Sequence, residues 1–112
     1  SLIIASSAFS QTTPKLQYFK LQNVQLSKSV FEDAMLTDKK YILEMVPDRL
    51  LAPYLKEAGL KPKAENYSNW ENTGLDGHIG GHYLSALSLM YASTGDKKIK
   101  ERLDYMISEL DR

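Results

Sequence analysis

The chain has 112 residues, 43% of them hydrophobic and 25% charged, which is the composition of an ordinary globular protein with one domain at most. Its 14 basic and 14 acidic side chains give a formal net charge of +0, and this lack of excess positive charge argues against a nucleic-acid partner. The absence of cysteine excludes disulfides, a thiolate zinc site and a cysteine nucleophile within these residues. Any catalysis by this chain would therefore use histidine or carboxylates.

The first residues are typical of the end of a secretory signal peptide. An apolar run, Leu2–Ala5, is followed by Ala8-Phe9-Ser10, whose small residues suit a cleavage point before Gln11. We therefore predict a signal-peptide tail over residues 1–10, a linker over 11–15, and export to the periplasm or the extracellular space. A short hydrophobic strand is the alternative. No membrane span is predicted, because a transmembrane helix needs about 20 apolar residues.

The first half of the remaining chain predicts one strand and two helices. Alternating apolar residues in the later half of Leu16–Leu26 indicate an edge strand. Ser29 and Glu32 form a capping box, which starts a helix over about residues 30–45. Pro47-Asp48 then breaks the chain. A second helix, marked by apolar residues from Leu50 to Ala58, ends at Gly59 as its left-handed cap, with Pro53 indicating a late start or a kink.

The second half predicts a long loop followed by two helices. The loop from Lys61 to Gly77 is long enough to be functional. The third helix, about residues 79–93, is apolar on nearly every side, so most of its surface should be buried. Asp96 caps a fourth helix with one apolar stripe. No stop signal follows Leu110, which together with the missing first Met suggests an N-terminal piece of a longer protein.

The only two histidines, His78 and His82, are spaced so that they share a face of a helix. That spacing suits a shared metal or ligand. The intervening segment lacks the glutamate of a zincin motif, and Gly80 and Gly81 argue against a rigid metal-binding helix, so no metal site is predicted here. Histidines that are simply hydrogen-bonded at a helix start are the equally weighted alternative.

The approach to the third helix combines glycines with residues that can bind a sugar. Glycines at 74, 77, 80 and 81 allow a ligand close to the backbone, or they serve loop geometry alone. Trp70 could pack on the apolar face of a sugar, while Glu71, Asn72 and Asp76 bind hydroxyls. The alternative is slightly favoured by these residues alone: Trp70 is a core anchor, and Glu71 caps a helix or forms a salt bridge.

The run WENTGLDGHIGGHYLSAL, from Trp70 to Leu87, resembles the N-terminal region of the β-L-arabinofuranosidase family of glycoside hydrolases. Shorter segments, Pro47–Leu51, Glu57–Leu60 and Gly95-Asp96, are similar to that family at corresponding places, so the resemblance covers essentially Leu16 to Arg112.

The resemblance implies a mainly α fold, in which residues 16–112 form the opening αα-hairpins of an (α/α)6 barrel and the early edge strand belongs to a β-layer completed by later sequence. It implies that the acid/base carboxylate and a zinc-bound cysteine nucleophile lie later in the chain, so that zinc belongs to the full-length enzyme. It also implies that His82 contacts the sugar. His78, Asp76, Trp70 and Glu71 are predicted as further substrate-binding residues by their proximity, and none is predicted to be catalytic.

These expectations predict an N-terminal fragment of an exported retaining glycosidase that acts on plant-type glycans and supplies sugar-binding residues rather than the nucleophile. Its partners are a carbohydrate substrate and the remainder of its own catalytic domain. A non-catalytic helical carbohydrate-binding or scaffold module is the alternative, and the sequence beyond Arg112 would separate the two.

Overall fold

The computed structural model describes residues 15–112, so the predicted signal-peptide tail and all of the predicted linker except Lys15 lie outside the described residues. The described part is mainly helical, as predicted. Its α-helices are α1 (Val30–Glu44), α2 (Pro47–Glu57), α3 (His78–Thr94) and α4 (Lys97–Leu110), and short 3-10 turns lie at Leu21–Asn23 and Asn69–Asn72.

The edge strand predicted over Leu16–Leu26 is not seen. Residues 15–112 contain no strand, so this segment has no strand to pair with among them. Its backbone forms local hydrogen bonds instead: the amide of Asn23 donates to Lys20 O at 2.9 Å, and that of Val24 donates to Leu21 O at 3.1 Å. The resulting 3-10 turn packs beside α3. Alternating hydrophobicity alone cannot make a strand without a neighbour to share its backbone hydrogen bonds.

Local signals explain where the first two helices begin. Ser29 precedes α1, and its hydroxyl accepts the Glu32 amide at 3.4 Å, which forms the predicted cap. Pro47 was predicted to break the chain before the second helix. It is instead the first residue of α2, where the missing N–H costs nothing. Of the two expectations for Pro53, the late start is wrong because this proline lies inside the helix, and the kink stays a prediction. Gly59 follows α2 with a φ of +72°, as expected of a left-handed cap.

The core lies where α2 and α4 meet α3. Its fully buried side chains are Leu50, Leu51, Leu87, Ile99 and Met106. A turn of only two residues, Gly95-Asp96, joins α3 to α4, so these helices form an αα-hairpin. The described helices agree with the predicted class, and the closed barrel remains an expectation from the family resemblance.

Helix α3 buries one side only. Tyr83, Leu87 and Met90 face the core, while Leu89 is 57% exposed. A shallow apolar hollow runs between α3 and α4 on the exposed side, lined by Leu84, Ser85, Ser88, Leu89, Leu103 and Ile107. The expectation that most of this helix is buried is thus not met by residues 15–112 alone.

Arg102 of α4 fixes the position of α3 against the end of α1. Its guanidinium donates to Met45 O at 2.7 Å, to Leu43 O at 3.3 Å and to the hydroxyl of Tyr83 at 2.9 Å. Tyr83 in turn donates to Ile42 O at 2.8 Å. Burial raises the pKa of Tyr83, which keeps the phenol protonated and able to donate. Because Tyr83 directly follows His82, these bonds also determine where the first turns of α3 lie.

Asp96 is expected to contribute a pH-dependent part of the stability. Its carboxylate accepts the amides of Lys98 at 2.8 Å and Ile99 at 3.2 Å and pairs with Lys39 at 3.0 Å. The Lys39 ammonium and then the Ile99 amide lower its pKa below the ordinary 3.8. A depressed pKa stabilises the folded state above the unfolded value, and this contribution is lost as the pH falls through the folded value.

Asp96→Ala should therefore cost about 1 kcal/mol of unfolding free energy at neutral pH through the lost cap. Asp96→Asn is the matched control, because asparagine caps a helix about as well but has no charge. Urea midpoints at pH 7 and pH 3 test the pH dependence. The pH dependence would be contradicted if the parent exceeded Asp96→Asn in stability by as much at pH 3 as at pH 7.

Candidate functional site

The buried side chain of Glu71 accepts hydrogen bonds from the start of α3. The 3-10 turn Asn69–Asn72 brings its side chain inside the protein, where only 3% of the residue is exposed. Oε2 accepts the amide of Gly77 at 2.9 Å, and Oε1 accepts that of Ile79 at 2.8 Å. Both amides belong to the helix N-terminus, where backbone donors lack partners within the helix and a negative charge is stabilising. Glu71 therefore caps α3, in agreement with the alternative in which this residue caps a helix or forms a salt bridge.

Asp76 orders the glycine-rich turn ahead of the helix. Its Oδ1 accepts the amides of Thr73 at 3.1 Å and Gly74 at 3.2 Å. Asn66 links it to the cap, since the Asn66 amide group donates to Glu71 O at 3.0 Å and to Asp76 Oδ2 at 3.4 Å. Asp76 nevertheless remains exposed to solvent.

Tyr54 of α2 lies against the first turn of α3. Its hydroxyl donates to Gly77 O. Burial, followed by the nearby charge of Glu71, raises the pKa of Tyr54, so the phenol stays protonated near neutral pH. A Cβ built on Gly80 would lie 2.7 Å from the Tyr54 ring and 3.2 Å from Leu50 O, so any other residue would force the ring or the backbone to shift. The glycine at position 80 is thus explained by the packing of α2 on α3.

This contact predicts opposite results for two neighbouring glycines. Gly80→Ala should cost about 1–2 kcal/mol of unfolding free energy, because overpacking outweighs the gain of about 1 kcal/mol in helix propensity. Gly81→Ala is the matched control: its Cβ would come no nearer than 3.8 Å to the Tyr54 hydroxyl, so the change should be neutral or stabilising. Chemical denaturation of both variants tests this, and equal losses would contradict the packing argument.

The two histidines come together on the exposed side of the same turn. His78 is the first residue of α3 and His82 lies one turn later, and both are exposed. Their Nε2 atoms are 3.1 Å apart, and the rings meet edge to face with centroids separated by 4.6 Å. The predicted shared face is confirmed. We call His78 and His82 the histidine pair.

Trp70 is not a core anchor, so the alternative prediction for this residue is wrong. It is 68% exposed and lines a shallow hollow together with Asn69, Thr73 and Leu75. Its indole is therefore available to pack on a ligand, although this hollow does not include the histidine pair. The structure thus joins Glu71, Asp76 and the start of α3 through hydrogen bonds, and places Trp70 on an adjacent surface of the same loop.

Two residues of this region were missed by the sequence arguments. Asn66 gave no signal, because an asparagine in a polar loop is ordinary. Tyr54 lies among the apolar residues from Leu50 to Ala58 that predict the second helix, and that pattern gives it no further role. The signal that could have found it was Gly80, since a glycine within a helical pattern often marks a close approach by another element.

Within the described range 15–112, no three His, Cys, Asp or Glu side chains group as metal ligands. The sequence has no cysteine, so its residues do not fit the zinc-bound thiolate that the family resemblance implies. Over the same residues, no helix has both the length and the apolar character needed to cross a bilayer.

The described part of the chain is helical, and its sequence matches the catalytic domain of a family of glycoside hydrolases. The chain belongs to the β-L-arabinofuranosidase family: the model described as "Beta-L-arabinofuranosidase, GH127 catalytic domain" matches residues 23–112. Among curated proteins, no sequence matches the chain. The match begins within the first 3-10 turn and includes all four helices, so Glu71, Asp76, Trp70 and the histidine pair all lie inside the family domain.

Proposed function

We propose that this chain is the N-terminal part of an exported retaining glycosidase that releases β-linked L-arabinofuranose from plant-type glycans. The observation that carries the proposal is the family match over residues 23–112. Hydrolysis with retention needs a nucleophile and an acid/base group. In this proposal both come from later in the polypeptide, where the family resemblance expects a zinc-bound cysteine and a carboxylate.

The role of the present residues is to bind and orient the sugar. His82 is the proposed contact with a sugar hydroxyl, and its exposed imidazole can donate or accept a hydrogen bond. His78 lies within hydrogen-bond distance of His82 and orients it. Trp70 offers an exposed ring for a sugar face, and Asp76 offers an exposed carboxylate whose oxygens also accept hydrogen bonds from within the loop.

Glu71 has a different part in this proposal. Both of its oxygens already accept backbone amides, so its carboxylate positions the histidine pair rather than meeting the sugar. Tyr54 acts in the same way through its hydrogen bond to Gly77 O. The turn that carries the proposed sugar-binding residues is thus fixed by the buried carboxylate of Glu71 and by the partly buried ring of Tyr54.

The exposed side of α3 supports the proposal that more of the domain follows. Leu84 and Leu89 contribute to an apolar hollow, and the later helices of a larger barrel would cover it. The rival function, a non-catalytic carbohydrate-binding or scaffold module, would use the same surface without any later catalytic groups.

The longer protein should hydrolyse an aryl β-L-arabinofuranoside, whereas the 112 residues alone should be inactive with or without zinc. The reason is that the chain has no cysteine to act as the nucleophile. Release of the aryl group measured on both proteins tests this. Turnover by the 112 residues alone would contradict the assignment of the chemistry to later residues, and sugar binding without turnover by the longer protein would favour the non-catalytic module.

A further inference from the structure

The separation of the two imidazoles matches what a single metal ion requires. A divalent transition-metal ion lies about 2.0–2.1 Å from each histidine nitrogen, so two nitrogens bound at angles of about 90–110° are roughly 2.9–3.4 Å apart. The Nε2 atoms of His78 and His82 are 3.1 Å apart. We propose that the histidine pair is a chelating site for an exchangeable divalent transition-metal ion such as Ni²⁺, Cu²⁺ or Zn²⁺.

Gly80 and Gly81 would make the start of the helix too flexible for a metal site if they were free to move. The structure removes this objection. Gly80 is packed against Tyr54 with no room for a side chain, and Tyr54 is tied to Gly77 O. Glu71 fixes the same turn through two further hydrogen bonds. Two ligands one turn apart are therefore held on a rigid piece of helix, which lowers the entropy lost when both bind one ion.

The charge distribution also permits a cation here. The N-terminus of a helix carries a partial positive charge that would repel a metal ion. The carboxylate of Glu71 lies directly on the amides of Gly77 and Ile79 and offsets that charge. In addition, the histidine pair lies along the side of α3 rather than beyond its end, because His82 is one full turn into the helix.

The donor set indicates which ions bind. Neutral imidazole suits Zn²⁺, Cu²⁺ and Ni²⁺ and is a poor ligand for Mg²⁺ or Ca²⁺, which prefer oxygen. Both rings must carry their proton on Nδ1, so that the lone pairs of both Nε2 atoms can bind the ion. Two protein ligands leave the remaining positions to water, as expected of an exchangeable ion rather than a structural one.

Isothermal titration of the purified protein with Ni²⁺ at pH 7.5 tests the site without any need for activity. The parent should bind one more Ni²⁺ than His78→Asn or His82→Asn, or bind it at least about tenfold more tightly, since each variant loses one arm of the chelate. The double variant His82→Ser/Ser85→His is the matched control, because it keeps two histidines but places them two turns apart. It should behave like the single variants, and Cu²⁺ bound to the parent should show two nitrogen ligands by electron paramagnetic resonance.

Circular dichroism establishes that each variant is folded, which the exposure of both histidines favours. Equal Ni²⁺ stoichiometry and affinity in the parent and the single variants would overturn the proposal. So would tight binding retained by the double variant, or a single nitrogen ligand on Cu²⁺ in the parent. These measurements do not involve the glycosidase reaction, so their failure is distinct from failure of the proposed function. If both proposals hold, Ni²⁺ should also compete with the sugar.

Discussion

Replacing His82 with alanine in the longer enzyme is expected to lower kcat/KM by about two to three orders of magnitude while leaving its stability nearly unchanged. A polar contact that strengthens in the transition state contributes about 2–4 kcal/mol. The loss of stability should be small because His82 is exposed and its side chain contacts His78 across 3.1 Å without serving as a backbone cap.

The measurement is kcat/KM and the urea midpoint on the same preparation. His82→Gln is a useful companion, because an amide can still form a hydrogen bond with a sugar hydroxyl and should recover part of the lost rate. His78→Ala should have an intermediate effect if His78 orients its neighbour. A His82→Ala enzyme that is destabilised but has normal kcat/KM would contradict the binding role.

The helices could be predicted from the sequence because their signals are local. Ser29 and Asp96 cap α1 and α4 with side chains that reach amides two or three residues away. Gly59 and Gly95 adopt a positive φ after α2 and α3, which glycine does at little cost. Such features depend on the chain within one turn, so they are formed whatever surrounds them.

The features that could not be predicted depend on distant parts of the chain. The alternating segment Leu16–Leu26 needed a partner strand, and the residues that the structure describes supply none. The burial of α3 was expected from its composition, yet Leu89 stays exposed because coverage depends on which other elements pack against it. Hydrophobic pattern indicates that a surface can be buried without indicating what buries it.

The site was predicted in part for the same reason. The spacing of His78 and His82 placed them together because it depends only on helix geometry. The role of Glu71 was left open between a ligand contact and a cap, and only the tertiary path of the loop decides where its carboxylate points. Tyr54 is 23 residues before Gly77 in the chain, and its contact with that residue could not follow from local patterns.

Glu71→Ala is expected to be among the most destabilising single changes in this chain, with a loss of about 3–5 kcal/mol of unfolding free energy. The change removes both acceptors and leaves the Gly77 amide buried and the Ile79 amide partly buried without a partner. Each unsatisfied buried donor costs about 1–3 kcal/mol, and hydrogen bonds to a charged group lie at the upper end of the usual range.

Glu71→Gln separates charge from shape. The glutamine oxygen can still accept one amide, but its NH2 group then faces the other amide, so one hydrogen bond is replaced by two opposed donors. We expect a loss of about 2–3 kcal/mol, smaller than that of alanine. Glu101→Gln is the matched control, because Glu101 is exposed on α4 and should change the stability by less than about 0.5 kcal/mol. Denaturation midpoints of the three variants provide the comparison. If Glu71→Gln proves as stable as the parent, the carboxylate does not hold the first turn of α3, and the rigid support inferred for the histidine pair falls with it.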